Sequence, residues 1–168
     1  DRFQSREDYA ASDTMVDHLF ANSDPRLAKY AAPVVSATGD TSKIDYVEYG
    51  GETYAGMPYG VLNPGILQTR ISFLPSSIIY DGTSAGGMLY SYAQVCFSYA
   101  EAHLRGWTGL AGDAQTWYEL GIAASHAQWG VADADAAAYL ASVAPVSMET
   151  MATEKWVALY MQGWEAWS

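Results

Sequence analysis

Residues 80–107 decide the fold and read YDGTSAGGMLYSYAQVCFSYAEAHLRGW. From Gly87 onward, a helical spacing of three and four residues connects Leu89, Ala93, Cys96, Ala100 and His103. This spacing predicts a helix with one buried face. Gly106 is a suitable left-handed residue to end that helix before Trp107.

A second helical pattern follows at once, in residues 113–130, DAQTWYELGIAASHAQWG. Asp113 is a suitable N-cap, and the spacing places Trp117, Leu120, Gly121 and Ala124 on one face. Small residues on the facing stripes let two helix backbones approach closely. The two patterns therefore predict a helix pair of the tetratricopeptide type.

Further helices are predicted on both sides of this pair. Ser12-Asp13-Thr14 opens one, which carries Met15, Val16, Leu19 and Phe20 on one face and ends before Pro25. Residues 132–141 form a short alanine-rich helix, and Ser147 or Thr150 begins the last one. Residues 71–74 are either a strand or a buried extended segment. The predicted fold class is mainly α.

Residues 36–70 differ from the rest of the chain because glycine and proline interrupt every helical stripe. They predict a long loop insertion that can contain one short hairpin. Long loops inside compact domains are often functional. Four tyrosines are interleaved with the glycines and prolines, at Tyr46, Tyr49, Tyr54 and Tyr59.

Composition excludes several classes of protein. The chain has 168 residues, a net charge of −11 and a pI of about 4.4, so nucleic acid is not an expected partner. No apolar run reaches the ~18 residues that a membrane-spanning helix needs. The single cysteine, Cys96, excludes a disulfide within the chain and is expected to be a core residue.

Signatures of enzymes and metal sites are weak. His18, His103 and His126 lie in helical patterns without the spacing of a zinc site. A glycosidase needs two facing carboxyl groups, and the spacing of the acidic residues places no such pair. Oxygen ligands for calcium occur around Asp40, Asp45 and Glu48, but their spacing fits no defined loop. We expect no catalytic residue, no cofactor and no metal.

The wording of the sequence resembles the SusD/RagB family, the nutrient-binding outer-membrane lipoproteins of Bacteroidetes. Four blocks carry the resemblance in order, and together they span nearly the whole chain. The first block is Asp8-Tyr9-Ala10 with Ser12, Thr14-Met15-Val16-Asp17 and Asp24-Pro25-Arg26-Leu27, and the second is Tyr54-Ala55-Gly56-Met57-Pro58-Tyr59-Gly60. The third is residues 92–107 with 118–122 and Trp129-Gly130, and the fourth is residues 154–160 with Glu165-Ala166-Trp167.

The resemblance implies a helical SusD-like fold and a non-catalytic protein at the cell surface, attached by a lipid anchor that this chain does not contain. Such proteins bind nutrient oligosaccharides and deliver them to a TonB-dependent SusC-like transporter. The alternatives are a tetratricopeptide-like scaffold for protein contacts, or binding of peptides instead of glycans. We expect residues 1–168 to be one SusD-like segment, incomplete at both ends.

Sugar faces stack on aromatic rings while their hydroxyl groups bind polar side chains. Loop position therefore makes the four tyrosines the candidate ligand-binding residues, with Asn63 and Gln68 as polar partners. The alternative is that Tyr54, Met57 and Tyr59 only fix the loop to the helices. The tryptophans are expected to pack the helical core, at positions Trp107, Trp117, Trp129, Trp156 and Trp164.

Overall fold

The computed structural model describes residues 9–35, 44–60, 70–79 and 88–167, and the fold is mainly α-helical. The chain divides into two units, residues 1–86 and residues 87–168. A separate hydrophobic cluster lies within each unit.

The first unit begins with helix α1, Asp13–Ala21. The helix begins within the predicted Ser12-Asp13-Thr14 segment, and Ser12 caps it, because its Oγ accepts a hydrogen bond from the Met15 N–H at 3.3 Å. The helix buries Met15, Val16 and Leu19. Phe20 is exposed, so its predicted place on the buried face is wrong; the buried stripe ends at Leu19. Helix α2, Leu27–Tyr30, follows the turn at Pro25.

A buried ion pair stabilises the turn at residues 24–27, Asp-Pro-Arg-Leu. The Asp24 carboxylate accepts the backbone N–H of Arg26 at 2.9 Å and pairs with its guanidinium at 2.5 Å. Both side chains are completely buried. A buried charge is tolerated only when it is paired and hydrogen-bonded, so this pair belongs to the interior of the unit.

The predicted loop region contains the expected hairpin. Strand β1, Val47–Tyr49, pairs antiparallel with strand β2, Glu52–Tyr54. Gly50 and Gly51 form the two-residue turn with φ of 62° and 84°, a conformation that favours glycine at both central positions of a hairpin turn. A short helix α3, Ser76–Ile79, comes later in this unit.

Extended backbone segments that are distant in sequence meet in the first unit. The Ala11 N–H donates to the Ser72 oxygen at 3.0 Å, the Met57 N–H to the Ala11 oxygen at 2.7 Å, and the Ser72 N–H to the Ala55 oxygen at 2.7 Å. Ile71 and Ser72 are buried. Of the two alternatives for residues 71–74, the buried extended segment is therefore the one observed.

The second unit is a set of packed helices. Helix α4 covers Tyr92–Leu104 and α5 covers Ala114–Gln128. They are followed by α6, Asp133–Ser142, α7, Met148–Ala158, and α8, Gly163–Trp167. Helix α4 packs most extensively on α5 and then on α7.

The caps of these helices follow the local sequence. The Asp113 carboxylate accepts the Thr116 N–H at 2.9 Å, and Ser147 and Thr150 form a capping box. Gly106, with φ of 76°, ends α4. Helix α4 begins one turn later than predicted, because Ser91 is its N-cap and Leu89 remains 89% exposed outside it.

The core of the second unit is built on Phe97 of α4 and Tyr118 and Ile122 of α5. The predicted face of α5 is displaced by one residue. Tyr118 is buried while Trp117 is half-buried and Leu120 is exposed. Gly121 lies on the buried side, where the Phe97 ring fills the space that a side chain would occupy.

The last predicted helix does not run unbroken through the described residues. Helix α7 ends at Ala158, and Met161 takes a φ of 70° before α8 begins at Gly163. A right-handed helix cannot continue through a residue with positive φ, and Met161 is such a residue. Trp164 is consequently 93% exposed.

Candidate functional site

Register places two of the candidate tyrosines on the same face of the hairpin. Val47 lies opposite Tyr54, and Tyr49 lies opposite Glu52. Residues directly opposite each other in a sheet project to the same side, so Tyr49 and Tyr54 share that side. On the other side, the Thr53 hydroxyl donates to the Glu48 carboxylate at 2.6 Å.

Tyr54 is a core residue of the first unit. It is 3% exposed, and burial, followed by the nearby Glu52 carboxylate and Tyr49, raises the pKa of its phenol. A ring buried to this extent offers no free face to a sugar. Its position favours the alternative in which Tyr54 fixes the loop.

Tyr46 and Tyr49 are half-buried. Tyr46 packs against a small cluster formed by Ile44, Ala55 and Ile71. Its hydroxyl oxygen is buried and has no hydrogen-bond partner within the described ranges. One side of the Tyr46 side chain is therefore committed to packing.

Tyr59 has a different setting, because its ring is 92% exposed while its backbone is anchored. Met57 forms a parallel bridge with Ser12, and its oxygen accepts the Asp13 N–H at 3.1 Å. The Tyr59 N–H in turn lies 3.4 Å from Asp13 Oδ2. The result is an open aromatic face on backbone that α1 holds in place.

The remaining candidates, Asn63 and Gln68, lie outside the described residues. Among the four tyrosines, the structure brings Tyr49 and Tyr54 together on the hairpin and places Tyr59 beside the start of α1. Tyr59 is the only one of the four that is mostly exposed.

One carboxylate, that of Asp13, contacts the Tyr59 segment directly. Asp17 lies one helical turn after Asp13 on α1, and α1 contacts strand β1, which begins two residues after Asp45. Partial desolvation and the charges of Asp13 and Asp45 raise the pKa of Asp17. Residues 44–60 carry Asp45, Glu48 and Glu52 and no lysine or arginine. The site is therefore electronegative.

The expectation that all five tryptophans pack the helical core is wrong for two of them. Trp107 is 66% exposed and Trp164 is 93% exposed. Both follow an interruption of the helix, at Gly106 and at Met161, where φ is positive. Helical spacing that is counted across such an interruption no longer predicts which residues share a face. In the sequence, Gly106 marked one of the two interruptions.

Trp117 is held by two contacts at the surface of the helix pair. Its ring stacks on Tyr99 of α4 with centroids 4.6 Å apart. Its Nε1 donates to the Ala111 oxygen at 2.7 Å. These contacts fix the indole plane and connect the two helices.

Exposed apolar side chains lie at the start of α4, a feature that the prediction of a helix from Gly87 onward missed. They belong to consecutive or nearly consecutive residues and are 47–89% exposed: Met88, Leu89, Tyr90 and Tyr92. The Tyr90 hydroxyl lies 3.3 Å from Ser98 Oγ. We call these four residues the α4 entry patch.

Polar groups inside the second unit serve packing. His126 is buried, with Nδ1 2.8 Å from the Ile122 oxygen. The Tyr139 hydroxyl donates to Glu154 at 2.5 Å. Cys96 is buried as expected, and burial raises the pKa of its thiol. In the ranges that the structure describes, no group of His, Cys, Asp or Glu is placed to hold a metal ion.

The comparisons with known proteins agree with this architecture. A family model described as SusD-like, "starch-binding associating with outer membrane", matches residues 2–168. No curated protein matches the chain. Within the described parts of the chain, none of the helices combines the length and apolar character needed to cross a membrane.

Solved structures show the same fold. A SusD homologue from Bacteroides vulgatus matches with a TM-score of 0.74 and 26% identity, over 94% of this chain and 36% of its own. A chitin-binding protein matches at 0.70 and 25%, over 92% and 35%. A SusD homologue from Bacteroides fragilis matches at 0.73 and 20%, over 94% and 38%.

This chain thus spans little more than a third of the length of those structures. The match to the family model extends over nearly all of its residues, and the helical architecture is shared. The chain belongs to the SusD-like family.

Proposed function

We propose that the protein binds nutrient oligosaccharides at the cell surface without transforming them and delivers them to a TonB-dependent SusC-like transporter. Two comparisons support the ligand class, the starch-binding description of the family and the chitin-binding name of one similar structure. We propose that a lipid anchor holds the protein on the outer membrane.

Tyr59 is the observation that carries the proposal. A sugar ring presents an apolar C–H face, and a tyrosine ring is a flat apolar surface with a polar end. The anchored backbone at Met57 and Asp13 means that little conformational freedom is lost when a ligand stacks on the ring. Tyr49 is half-buried and provides a second, partly covered ring in the same unit.

The absence of catalysis is part of this proposal. Asp13 is the carboxylate next to Tyr59, and it already accepts the backbone N–H groups of Thr14 at 2.6 Å and Tyr59 at 3.4 Å. These contacts give Asp13 a structural role, since they hold the Tyr59 backbone beside α1. Incubation of the pure protein with oligosaccharides should yield no shorter products by chromatography, and accumulation of products would contradict this part of the proposal.

The binding proposal is tested by calorimetry on the whole protein with maltohexaose and chitohexaose. We expect Tyr59→Ala to weaken binding about tenfold, because an aromatic contact contributes about 0.5–1.5 kcal/mol beyond its buried area. Tyr59→Phe should retain most of the affinity. Tyr92→Ala is the matched control, since Tyr92 is 61% exposed but lies in the second unit.

Two results would contradict the assignment. Unchanged affinity in Tyr59→Ala would remove this residue from the site. Binding of a peptide library in preference to every oligosaccharide would favour the alternative ligand class.

A second candidate function, protein contact, is favoured by the α4 entry patch. Exposed aromatic and aliphatic side chains in one place are typical of interaction surfaces. We propose that this patch contacts a protein, and the transporter is the partner that the first proposal requires. Leu89→Ser with Tyr92→Ser should reduce co-purification with the transporter and leave oligosaccharide affinity unchanged; equal co-purification would contradict this role.

A further inference from the structure

The charges around Tyr59 carry an inference about which oligosaccharides its site accepts. Asp13 touches the Tyr59 segment directly through the Tyr59 N–H. Asp17 lies one turn further along α1, and α1 contacts strand β1, which begins two residues after Asp45. The charges of Asp13 and Asp45 also raise the pKa of Asp17.

No lysine or arginine in residues 44–60 is available to balance these carboxylates. Residues 44–60 contain three acidic residues and no lysine or arginine. Arg26 of the same unit is completely buried and paired with Asp24, so its charge is already compensated. The whole chain carries a net charge of −11, which adds a repulsive field of longer range.

We propose, on the basis of the binding function above, that the Tyr59 site accepts neutral oligosaccharides and rejects oligosaccharides that carry uronate or sulfate groups. A ligand that stacks on Tyr59 must place its substituents near Asp13 and its acidic neighbours. A neutral sugar donates hydroxyl hydrogen bonds to such carboxylates. An anionic substituent has no donor to offer there and is repelled.

The size of the effect follows from Coulomb's law. One unit charge about 10 Å from another in water changes a binding constant by about twofold. Three neighbouring carboxylates therefore weaken the binding of an anionic ligand by roughly tenfold. Salt screens this repulsion, with a Debye length of about 10 Å at 0.1 M.

The test compares two ligands that differ in charge. The neutral hexasaccharide that binds best, maltohexaose or chitohexaose, is titrated calorimetrically beside the same hexasaccharide oxidised to carboxylate at C6. We expect the oxidised ligand to bind at least about tenfold more weakly in low salt, with a gap that narrows as salt is added. Asp45→Asn should also narrow the gap, by about twofold.

Asp45 is the residue to change because it is exposed, whereas Asp13 holds the Tyr59 backbone. Asp135→Asn is the matched control, an exposed carboxylate on α6 of the second unit that should leave the gap unchanged. Equal affinities for the two ligands would overturn the charge selectivity. So would a gap that neither salt nor Asp45→Asn alters, since that gap would be steric.

Failure of the underlying function gives a different result. If no hexasaccharide binds, or if Tyr59→Ala leaves the binding of the neutral ligand unchanged, the proposed site itself is wrong and the selectivity falls with it. If the neutral ligand binds through Tyr59 and the oxidised one binds equally well, only the selectivity is wrong.

Discussion

Gly56 lies so close to the backbone of Asp13 that a Cβ atom at position 56 would overlap the Asp13 N and Cα atoms. Met57, the next residue, exchanges backbone hydrogen bonds with this part of the chain, accepting the Asp13 N–H and donating to the Ala11 oxygen. The missing side chain at 56 is therefore what allows the tyrosine loop to lie against the beginning of α1.

Gly56→Ala is predicted to lower the free energy of unfolding by about 1–3 kcal/mol, because an added methyl group in a filled space must displace backbone. Urea unfolding measures the loss. Affinity for oligosaccharides should fall too, since the Tyr59 anchor moves. Gly163→Ala is the control: a Cβ there meets no atom within 4 Å in the described structure. A loss of the same size in both variants would contradict the argument.

Gly121→Ala tests the close approach of α4 and α5. A Cβ at this position would come within 2.8 Å of the Phe97 ring. Alanine gains about 1 kcal/mol of helix propensity over glycine, but overpacking costs about 1–3 kcal/mol. We therefore expect a net loss of stability in urea unfolding.

Phe97→Leu in the same molecule should recover part of that loss, because the smaller side chain vacates the space. The double-mutant cycle is expected to give a coupling energy of about 0.5–3 kcal/mol. Strictly additive effects of the two substitutions would show that the ring and the glycine do not constrain each other.

Tyr139→Phe is predicted to destabilise the second unit by about 1.5–3 kcal/mol, the usual contribution of a hydrogen bond to a charged group. The phenol donates to Glu154 at 2.5 Å, and both residues are buried. Thermal and urea unfolding provide the measurement. Tyr99→Phe is the control on a more exposed tyrosine and should change stability by about 0.5 kcal/mol or less.

Asp17→Asn is predicted to raise the melting temperature at neutral pH. Partial desolvation and the charges of Asp13 and Asp45 raise the folded-state pKa of Asp17 above its ordinary value of 3.8. The folded state therefore binds this proton more tightly than the unfolded state, and ionisation of Asp17 disfavours folding.

Because the pKa of Asp17 is raised and not lowered, the wild type and the variant should differ in stability at neutral pH and not in acid. The destabilisation is complete above the raised folded-state pKa and disappears as the pH falls below 3.8. Melting curves of wild type and Asp17→Asn should separate at neutral pH and converge in acid. A lower melting temperature for the variant at neutral pH would show that the Asp17 charge is favourable.

Signals that act within a few residues were sufficient for much of the fold. Ser12, Asp113 and Ser147 cap their helices as side-chain chemistry predicts, and Gly50-Gly51 turns the hairpin. These features depend only on neighbouring backbone groups. The sequence alone therefore predicted the mainly helical class.

Which of the tyrosines are buried and which are exposed could not be predicted in this way. Tyr54 and Tyr59 are five residues apart in the same glycine-rich segment, yet one is 3% exposed and the other 92%. Strand register buries Tyr54, and contacts with α1, more than forty residues earlier, set the position of Tyr59. No local pattern reports contacts at that separation.

The face of α5 was mispredicted for a related reason. Trp117 and Tyr118 are adjacent aromatic residues, and either can begin a helical stripe. The structure buries Tyr118, while Trp117 stacks on Tyr99 and donates to the Ala111 oxygen near the surface. Which of the two rings is buried depends on packing against α4, and the sequence of α5 alone does not determine it.

The extended segments of the first unit have a kinetic consequence. Ala11 bonds to Ser72, and Met57 bonds back to Ala11, so these contacts close loops of tens of residues. The second unit is dominated by contacts within and between helices that are adjacent in sequence, such as α4 and α5. Because folding slows as contacts become less local, we expect the helical unit to acquire its structure first and the tyrosine-bearing unit to complete the folding of the chain.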